Sequence, residues 1–180
     1  MLLLSLFLAC VGEMETDTKI IYETTDICAT VLGRQACNFT AIDEEGHEVK
    51  FYDLIGKPMI LDLSAMWCGP CQAAGQEVQQ VQDSYPELTY LTILIENLSG
   101  DPPSAEDLQL WELELGIDSA PTWGSNRGLI TDDPIDIENN LFLSSWPTFY
   151  FLDPELRVLG YQKGFSSVTV EDWAEILIEE

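Results

Sequence analysis

The amino-acid sequence predicts an α/β fold in which a central mixed β-sheet is flanked by helices. Two apolar runs, 58–65 and 88–95, have the length of buried strands, and apolar residues recur at helical spacing over 69–85. A strand, a helix and a second strand in this order favour a parallel pair with a right-handed crossover. Residues 147–153 and 156–163 are separated by a turn and predict an antiparallel pair, which makes the sheet mixed.

The N-terminus is a short apolar run that ends in Ala9-Cys10. This pattern resembles a bacterial lipoprotein signal, in which cleavage precedes Cys10 and lipid is attached to its sulfur. A plain secretory signal and a buried helix or strand are the alternatives. Residues 11–26 are rich in acids and poor in large apolar groups, which is typical of a tether. We therefore expect a signal peptide over 1–10, a tether over 11–26 and one folded domain over 27–180. Such a protein would be exported to the bacterial periplasm or cell envelope and held there by lipid.

Two short segments before the first buried strand predict an N-terminal β-hairpin extension. Residues 37–42 and 47–51 are separated by the turn sequence Asp43-Glu44-Glu45-Gly46. Cys28 and Cys37 lie nine positions apart in the same region, and in an oxidising compartment we expect a structural disulfide between them, with two unpaired buried thiols as the alternative.

Cys68 and Cys71 stand where the first buried strand gives way to the helix. A cysteine at a helix N-terminus faces unpaired backbone N–H groups and the positive end of the helix dipole, and both favour its thiolate. A cysteine one turn further on can close a disulfide onto it, so this context predicts dithiol–disulfide chemistry. A zinc site needs about four ligands. The chain has one histidine and no second C-x-x-C, so we expect no metal.

Asp62 is the one charged residue in the apolar run that precedes these cysteines. Burying an unpaired carboxylate is costly, so we expect its pKa to be raised, which suits an acceptor for the Cys71 proton. An aspartate at a sheet edge that reaches water is the alternative.

The segment Trp67-Cys68-Gly69-Pro70-Cys71 is similar to the active site of the thioredoxin superfamily, whose own motif has the same five residues. Asp62, six residues before Cys68, matches the buried acid of that family. Trp146-Pro147-Thr148 precedes an apolar strand, as the family's cis-proline loop does. The stretch 38–57 resembles the envelope thioredoxins of the TlpA and ResA type. The resemblance covers about residues 36–179 and implies a thioredoxin fold.

The resemblance also implies a role for each site residue. Cys68 would attack a partner disulfide, Cys71 would resolve the mixed disulfide, and Asp62 would accept the Cys71 proton. A substrate-binding surface would be formed by residues on both sides of the cysteine pair, with Pro147 in cis: Trp67, Gly69, Pro70, Trp146 and Pro147. A plain packing role is the alternative for Trp67. The two sulfur atoms carry the redox chemistry, so no cofactor is implied.

Three positions differ from the family pattern around the buried acid. Ser64 stands where thioredoxin has a tryptophan, and Ala74 stands where ResA-type proteins have an acid. Residues 90–95 contain no counterpart of the lysine that neighbours the acid in thioredoxin. We therefore expect the proton relay to resemble that of thioredoxin only in part.

Residues 96–145 predict an enlarged acidic insertion before the cis-proline strand. Ser104 begins a predicted helix that Gly116 ends, and a long acidic loop follows. Trp123 and Trp146 either line a partner groove or pack in the core. At the C-terminus, helical spacing over 168–179 predicts a helix that packs on the sheet.

Acidic residues outnumber basic residues by 32 to 7, which gives a net charge of −25. This charge argues against nucleic acid and anionic membranes as partners. The sequence predicts a thiol–disulfide oxidoreductase, more a reductant than an oxidant, whose partners are protein thiols or disulfides and a membrane or periplasmic electron donor. One alternative is a non-catalytic binding module that presents the acidic 96–145 segment. Another is a thiol peroxidase, which needs an arginine and a threonine beside its reactive cysteine.

Overall fold

The computed structural model describes residues 28–133 and 140–179. The predicted signal peptide 1–10 with Cys10, and the predicted tether 11–26, lie outside these residues. Among the helices that are described, none is long and apolar enough to cross a membrane.

The described residues contain nine strands and three α-helices. They are β1 Thr40–Ile42, β2 Glu48–Lys50, β3 Met59–Ala65, α1 Gly69–Ser84, β4 Thr89–Glu96, α2 Ala105–Leu115, β5 Thr122–Gly124, β6 Ile130–Thr131, β7 Leu141–Phe142, β8 Thr148–Leu152, β9 Val158–Lys163 and α3 Ser167–Glu179. Seven strands form the main sheet in the order β2-β1-β5-β4-β3-β8-β9, and β6 pairs with β7 separately. β3 is parallel to β4 and antiparallel to β8, so the sheet is mixed and is flanked by helices, as predicted.

The helix ends follow local sequence signals. The Ser104 hydroxyl accepts a hydrogen bond from the Asp107 N–H while the Asp107 carboxylate accepts one from Ser104 N–H, so α2 begins with a capping box. Gly116 ends α2 with a φ of 69°, a left-handed conformation that glycine adopts without strain. The cap of α1 is Cys68 itself.

Two buried clusters lie on the two faces of the sheet. Buried side chains of all three helices belong to the cluster that contains Ile60 and Phe149, and we call this side the helix face. Phe151 also faces this side, where Trp173 of α3 stacks on it with ring centroids 4.6 Å apart. A Cβ placed on Gly160 would come within 2.3 Å of the Trp173 ring, so this docking of α3 requires a glycine in β9.

A disulfide joins Cys28 to Cys37, with their Cα atoms 4.8 Å apart. The segment that it closes runs beside β9, where the Gly33 N–H donates to the Val158 carbonyl at 2.8 Å and the Val158 N–H donates to the Arg34 carbonyl at 2.9 Å. The disulfide therefore fixes a segment that is added to the edge of the main sheet.

The segment expected to be an irregular acidic insertion contains a strand of the main sheet. Thr122–Gly124 forms β5, which lies between β1 and β4. Three residues are too few to show a strand period, so the sequence pattern predicts a loop here and misses this strand. Trp123 on β5 is 6% exposed and packs on the face opposite the helices, so core packing is the alternative that the structure supports for this residue.

Candidate active site

The two cysteines of the C-x-x-C segment are joined by a disulfide at the start of α1. Their Cα atoms are 5.2 Å apart. Cys68 is the N-cap residue, and its sulfur accepts a hydrogen bond from the Cys71 N–H at 3.2 Å. Cys68 is 4% exposed and Cys71 is fully buried. The order of exposure is the expected one, although Cys68 is itself largely covered when the disulfide is closed.

Asp62 lies in the middle of β3 and is completely buried. It shares the helix face with Ile60, because alternate residues of a strand point to the same side, and Cys71 belongs to the cluster on that face. The Ser64 hydroxyl donates to Asp62 Oδ1 at 2.7 Å. Burial raises the pKa of Asp62 to about 7, and the Ser64 hydrogen bond opposes part of that increase. Asp62 can therefore gain or lose a proton near neutral pH, as its position in an apolar run predicted.

The loop before β8 lies at the same end of the sheet as Cys68. Thr148 pairs with Leu63 near the end of β3, so the residues that precede Thr148 reach toward the start of α1. The peptide bond between Trp146 and Pro147 is cis. The Pro147 carbonyl accepts a hydrogen bond from the Gly164 N–H at 2.8 Å, which ties this loop to the end of β9.

Trp67 is held by the buried carboxylate of Glu96, a site residue that the sequence analysis above does not include. The Trp67 Nε1–H donates to Glu96 Oε2 at 2.7 Å, and Arg127 Nε donates to Glu96 Oε1 in an ion pair. Glu96 is 4% exposed and ends β4, and this charged residue at the end of an apolar strand was the available signal. Trp67 itself is 45% exposed and meets Trp146 edge-on, with ring centroids 5.9 Å apart.

The surface around the disulfide brings together the residues expected to bind substrate. Gly69 and Pro70 are exposed in the first turn of α1, and Trp67 and Trp146 stand beside it. A cavity of about 400 Å³ opens next to Trp146 and is lined by β6, by the residues before the cis-proline and by Arg127. Trp67, Trp146, Gly69 and Pro70 therefore lie near the cysteines with exposed or partly exposed side chains, whereas Pro147 is buried.

One group of potential metal ligands occurs in the part of the chain that is described. Asp43, Glu45 and His47 place ligand atoms within 4.8 Å of one another on the turn between β1 and β2. Asp43 Oδ1 already accepts hydrogen bonds from the Glu45 and His47 N–H groups, so these contacts are those of a hairpin turn.

A sequence profile of the AhpC/TSA family matches residues 32–159. The chain belongs to the AhpC/TSA family. The matched residues include the β1–β2 hairpin, Cys68, Cys71, Asp62 and the cis-proline loop.

Curated relatives of this AhpC/TSA family chain match over short stretches. The thiol-disulfide oxidoreductase ResA of Bacillus anthracis is 34% identical over 56 residues, which is 31% of this chain and 31% of ResA. Thioredoxin-2 of Dictyostelium discoideum is 34% identical over 44 residues, which is 24% of this chain and 50% of that protein. The chain thus spans under a third of the length of the ResA relatives.

Solved structures show the same fold over most of the chain. A thiol:disulfide interchange protein of the thioredoxin family from Chlorobium tepidum aligns with a TM-score of 0.63 at 20% identity, over 83% of this chain and 99% of that one. A secreted disulfide oxidoreductase of Mycobacterium tuberculosis gives 0.57 at 20% identity, over 77% and 96%. A thiol peroxidase of Chromobacterium violaceum gives 0.60 at 14% identity, over 85% and 90%. These likenesses establish a thioredoxin-like fold, and since their activities differ, function has to be argued from the site.

Proposed function

We propose that the chain is a thiol–disulfide oxidoreductase that exchanges disulfides with protein partners through Cys68 and Cys71. The observation that carries the proposal is the position of the cysteine pair: it caps α1 on the same face of the sheet as a buried carboxyl group, Asp62, with a pKa of about 7. A stable structural disulfide has no need of such a proton acceptor, whereas a couple that opens and closes must move a proton each time.

In the reducing direction, the Cys68 thiolate attacks a partner disulfide and forms a mixed disulfide. Unpaired N–H groups at the start of α1 stabilise that thiolate. Asp62 takes the Cys71 proton, and the Cys71 sulfur then attacks Cys68, so that the bond between Cys68 and the partner breaks. The partner leaves reduced, and the Cys68–Cys71 disulfide remains.

A partner peptide would bind in extended form against the cis-proline loop. The cis-proline loop lies at the same end of the sheet as Cys68, so the backbone at Trp146 would pair with a peptide strand there, which is a common mode of peptide recognition. Trp67, Gly69 and Pro70 would contact the peptide from the other side of the disulfide.

The sequence also favours a direction of electron flow and a location for the protein. The Gly69-Pro70 pair between the cysteines is that of thioredoxin, which favours the reducing direction, with electrons supplied by a membrane or periplasmic donor. Export, through a signal peptide over 1–10 and a lipid on Cys10, would leave the domain 27–180 on a tether in the cell envelope. The disulfide between Cys28 and Cys37 is compatible with an oxidising compartment.

Trapping of partners is the direct test. In the Cys71→Ser variant, Cys68 can still attack but the mixed disulfide is not resolved, so we expect disulfide-linked partner complexes on non-reducing gels. The Cys68→Ser variant is the matched control and should form few. Equal trapping by both variants would contradict the assigned roles, and no trapping by either would favour the non-catalytic binding module.

The reduction potential of the Cys68–Cys71 couple then tests the direction. A potential near that of thioredoxin, about −270 mV, would support a reductant, whereas a value near about −120 mV would identify an oxidant. Peroxide consumption by the reduced protein separates the thiol peroxidase alternative, which requires turnover of peroxide with Cys68 as the attacking sulfur.

A further inference from the structure

Three buried oxygen atoms on the helix face of the sheet have no hydrogen-bond partner within residues 28–133 and 140–179. They are Asp62 Oδ2, Thr92 Oγ1 and Thr122 Oγ1, and all three residues are completely inaccessible to solvent. An unmade hydrogen bond at a buried polar atom is destabilising, so such atoms are rare and need a physical explanation.

The three residues stand side by side in the sheet. Asp62 on β3 is in register with Thr92 on β4, and Thr92 is in register with Thr122 on β5. Neighbouring strands are about 4.8 Å apart, and residues in register on parallel strands point to the same face. Each hydroxyl can therefore reach the next group by rotation or through one bridging water. The carboxyl and the two hydroxyls form a polar row across three strands.

The row ends beside Glu112, a half-buried residue of α2, which packs on β5. Burial and the carboxylate of Glu44 raise the pKa of Glu112 to about 7. The Thr122 hydroxyl lies close enough to lower that pKa, although it is outside hydrogen-bond geometry. Glu112 thus links the buried row to the solvent.

Two other titratable groups face this region. Tyr90 on β4 has a pKa raised by burial and by the charges of Asp62 and of Glu77 on α1. Because its pKa is raised, Tyr90 keeps its proton at neutral pH. Glu77 is the second group, and its pKa is raised by burial and by Glu171 of α3. Asp62 and Glu112 remain the two carboxyl groups at the ends of the row.

We propose that the Thr92 and Thr122 hydroxyls and Glu112 form the proton route between Asp62 and solvent. This inference rests on the proposed thiol–disulfide function. When Cys71 attacks the mixed disulfide, its S–H bond breaks and the proton moves to Asp62, the bond between Cys71 and Cys68 forms, and the partner leaves as a thiolate. The proton on Asp62 then passes along the two hydroxyls to Glu112 and water. In the reverse reaction, in which the Cys68–Cys71 disulfide is reduced, a proton passes from water to Asp62 along the same route.

The experiment follows the two steps of oxidation separately in the full chain. The reduced protein is mixed with 5,5′-dithiobis(2-nitrobenzoate) in a stopped-flow instrument: attack by Cys68 releases the first thiolate and attack by Cys71 releases the second. This leaving group has a low pKa and departs without a proton, so the second phase reports deprotonation of Cys71. The reaction is run below pH 7, where Asp62 starts protonated and has to release that proton along the route before it can accept the proton of Cys71. We expect Thr122→Val to slow the second phase by about tenfold, less than the about 10²–10⁴ that a directly positioned base contributes. The first phase should be unchanged.

The control variants separate a proton route from packing. Thr122→Ser keeps the hydroxyl and loses a methyl group, so it should restore the second phase, whereas Thr122→Val keeps the shape. Valine removes an unpartnered hydroxyl and should leave thermal stability equal or higher. Glu112→Gln should slow the second phase and flatten its pH profile, and Glu114→Gln on the exposed side of α2 should not.

The outcomes distinguish this inference from the proposed function. An unchanged second phase in Thr122→Val, Thr92→Val and Glu112→Gln would overturn the route, while the two-step reaction would continue to support the function. Equal slowing by Thr122→Val and Thr122→Ser would also overturn the route, because packing would then explain the effect. Release of one thiolate by the wild-type protein would overturn the function and the route with it.

Discussion

Replacing Asp62 with asparagine removes a carboxyl group from a fully buried position while keeping its size and its contact with Ser64. The Asp62 pKa rises from its ordinary value of 3.8 to about 7 in the folded protein, because burial disfavours the charged form. The folded state therefore holds a proton between pH 4 and 7 that the unfolded chain has already released. The wild-type protein should therefore lose stability relative to Asp62→Asn as the pH rises through this window.

The magnitude follows from the difference between the two pKa values. Each pKa unit corresponds to about 1.36 kcal/mol, so the change from 3.8 to about 7 is worth about 4 kcal/mol. This contribution is fully present below the unfolded pKa and is lost as the pH rises through the folded pKa. The free energy of unfolding of Asp62→Asn minus that of the wild type should thus increase by about 4 kcal/mol between pH 3 and pH 8.

The assay is denaturant unfolding of the oxidised protein and of Asp62→Asn at matched pH values from 3 to 8. Subtracting the two curves cancels the titration of groups that both proteins share. Asp53→Asn is the matched control, because it removes one carboxyl group from an exposed position. A difference between wild type and Asp62→Asn that stays constant over this range would refute the argument, because it would mean that Asp62 titrates alike in both states.

Three further predictions concern the surroundings of the site. Replacing Cys28 and Cys37 with alanine should lower the free energy of unfolding by about 2–3 kcal/mol, the entropy of a loop of this length, and leave the rate of Cys68 attack unchanged; a large loss of attack rate would contradict this. Trp67→Phe should lower stability by about 1.5–3 kcal/mol, seen in denaturant melts, because a buried carboxylate loses its indole donor; an unchanged melt would count against it. Gly160→Ala should cost about 1–3 kcal/mol and alter the near-UV circular dichroism of Trp173, whose ring the new methyl would displace, and a silent substitution would show that α3 docks differently.

Much of the site could be predicted because its signals are local. The spacing of Cys68 and Cys71, the strand before them and the helix after them lie within one continuous segment, and the structure agrees with each to within one or two residues. Asp62 is recognisable in the sequence as a lone acid in an apolar run, and the fold buries it completely, which raises its pKa.

Other parts of the site could not be predicted because their partners are distant in the chain. The carboxylate that holds Trp67 lies 29 residues further on, at Glu96, and Arg127 lies 31 residues beyond that. The charge of Glu96 at the end of an apolar strand marks this residue, but nothing in the sequence marks its partners, because the contact forms only when the ends of β4 and β3 meet in the sheet. β5 was missed for a related reason: its three residues become a strand by pairing with β1 and β4.

The sequence by itself determined the long strands and the three helices, the cysteine pair, the buried acid and the family resemblance, since hydrophobic period and local motif encode these directly. The tertiary structure alone decided which polar groups share a buried environment. Asp62, Thr92 and Thr122 are about thirty residues apart along the chain, and parallel pairing sets them side by side. Register depends on the packing of whole strands against α1 and α2, so no short window of sequence contains it.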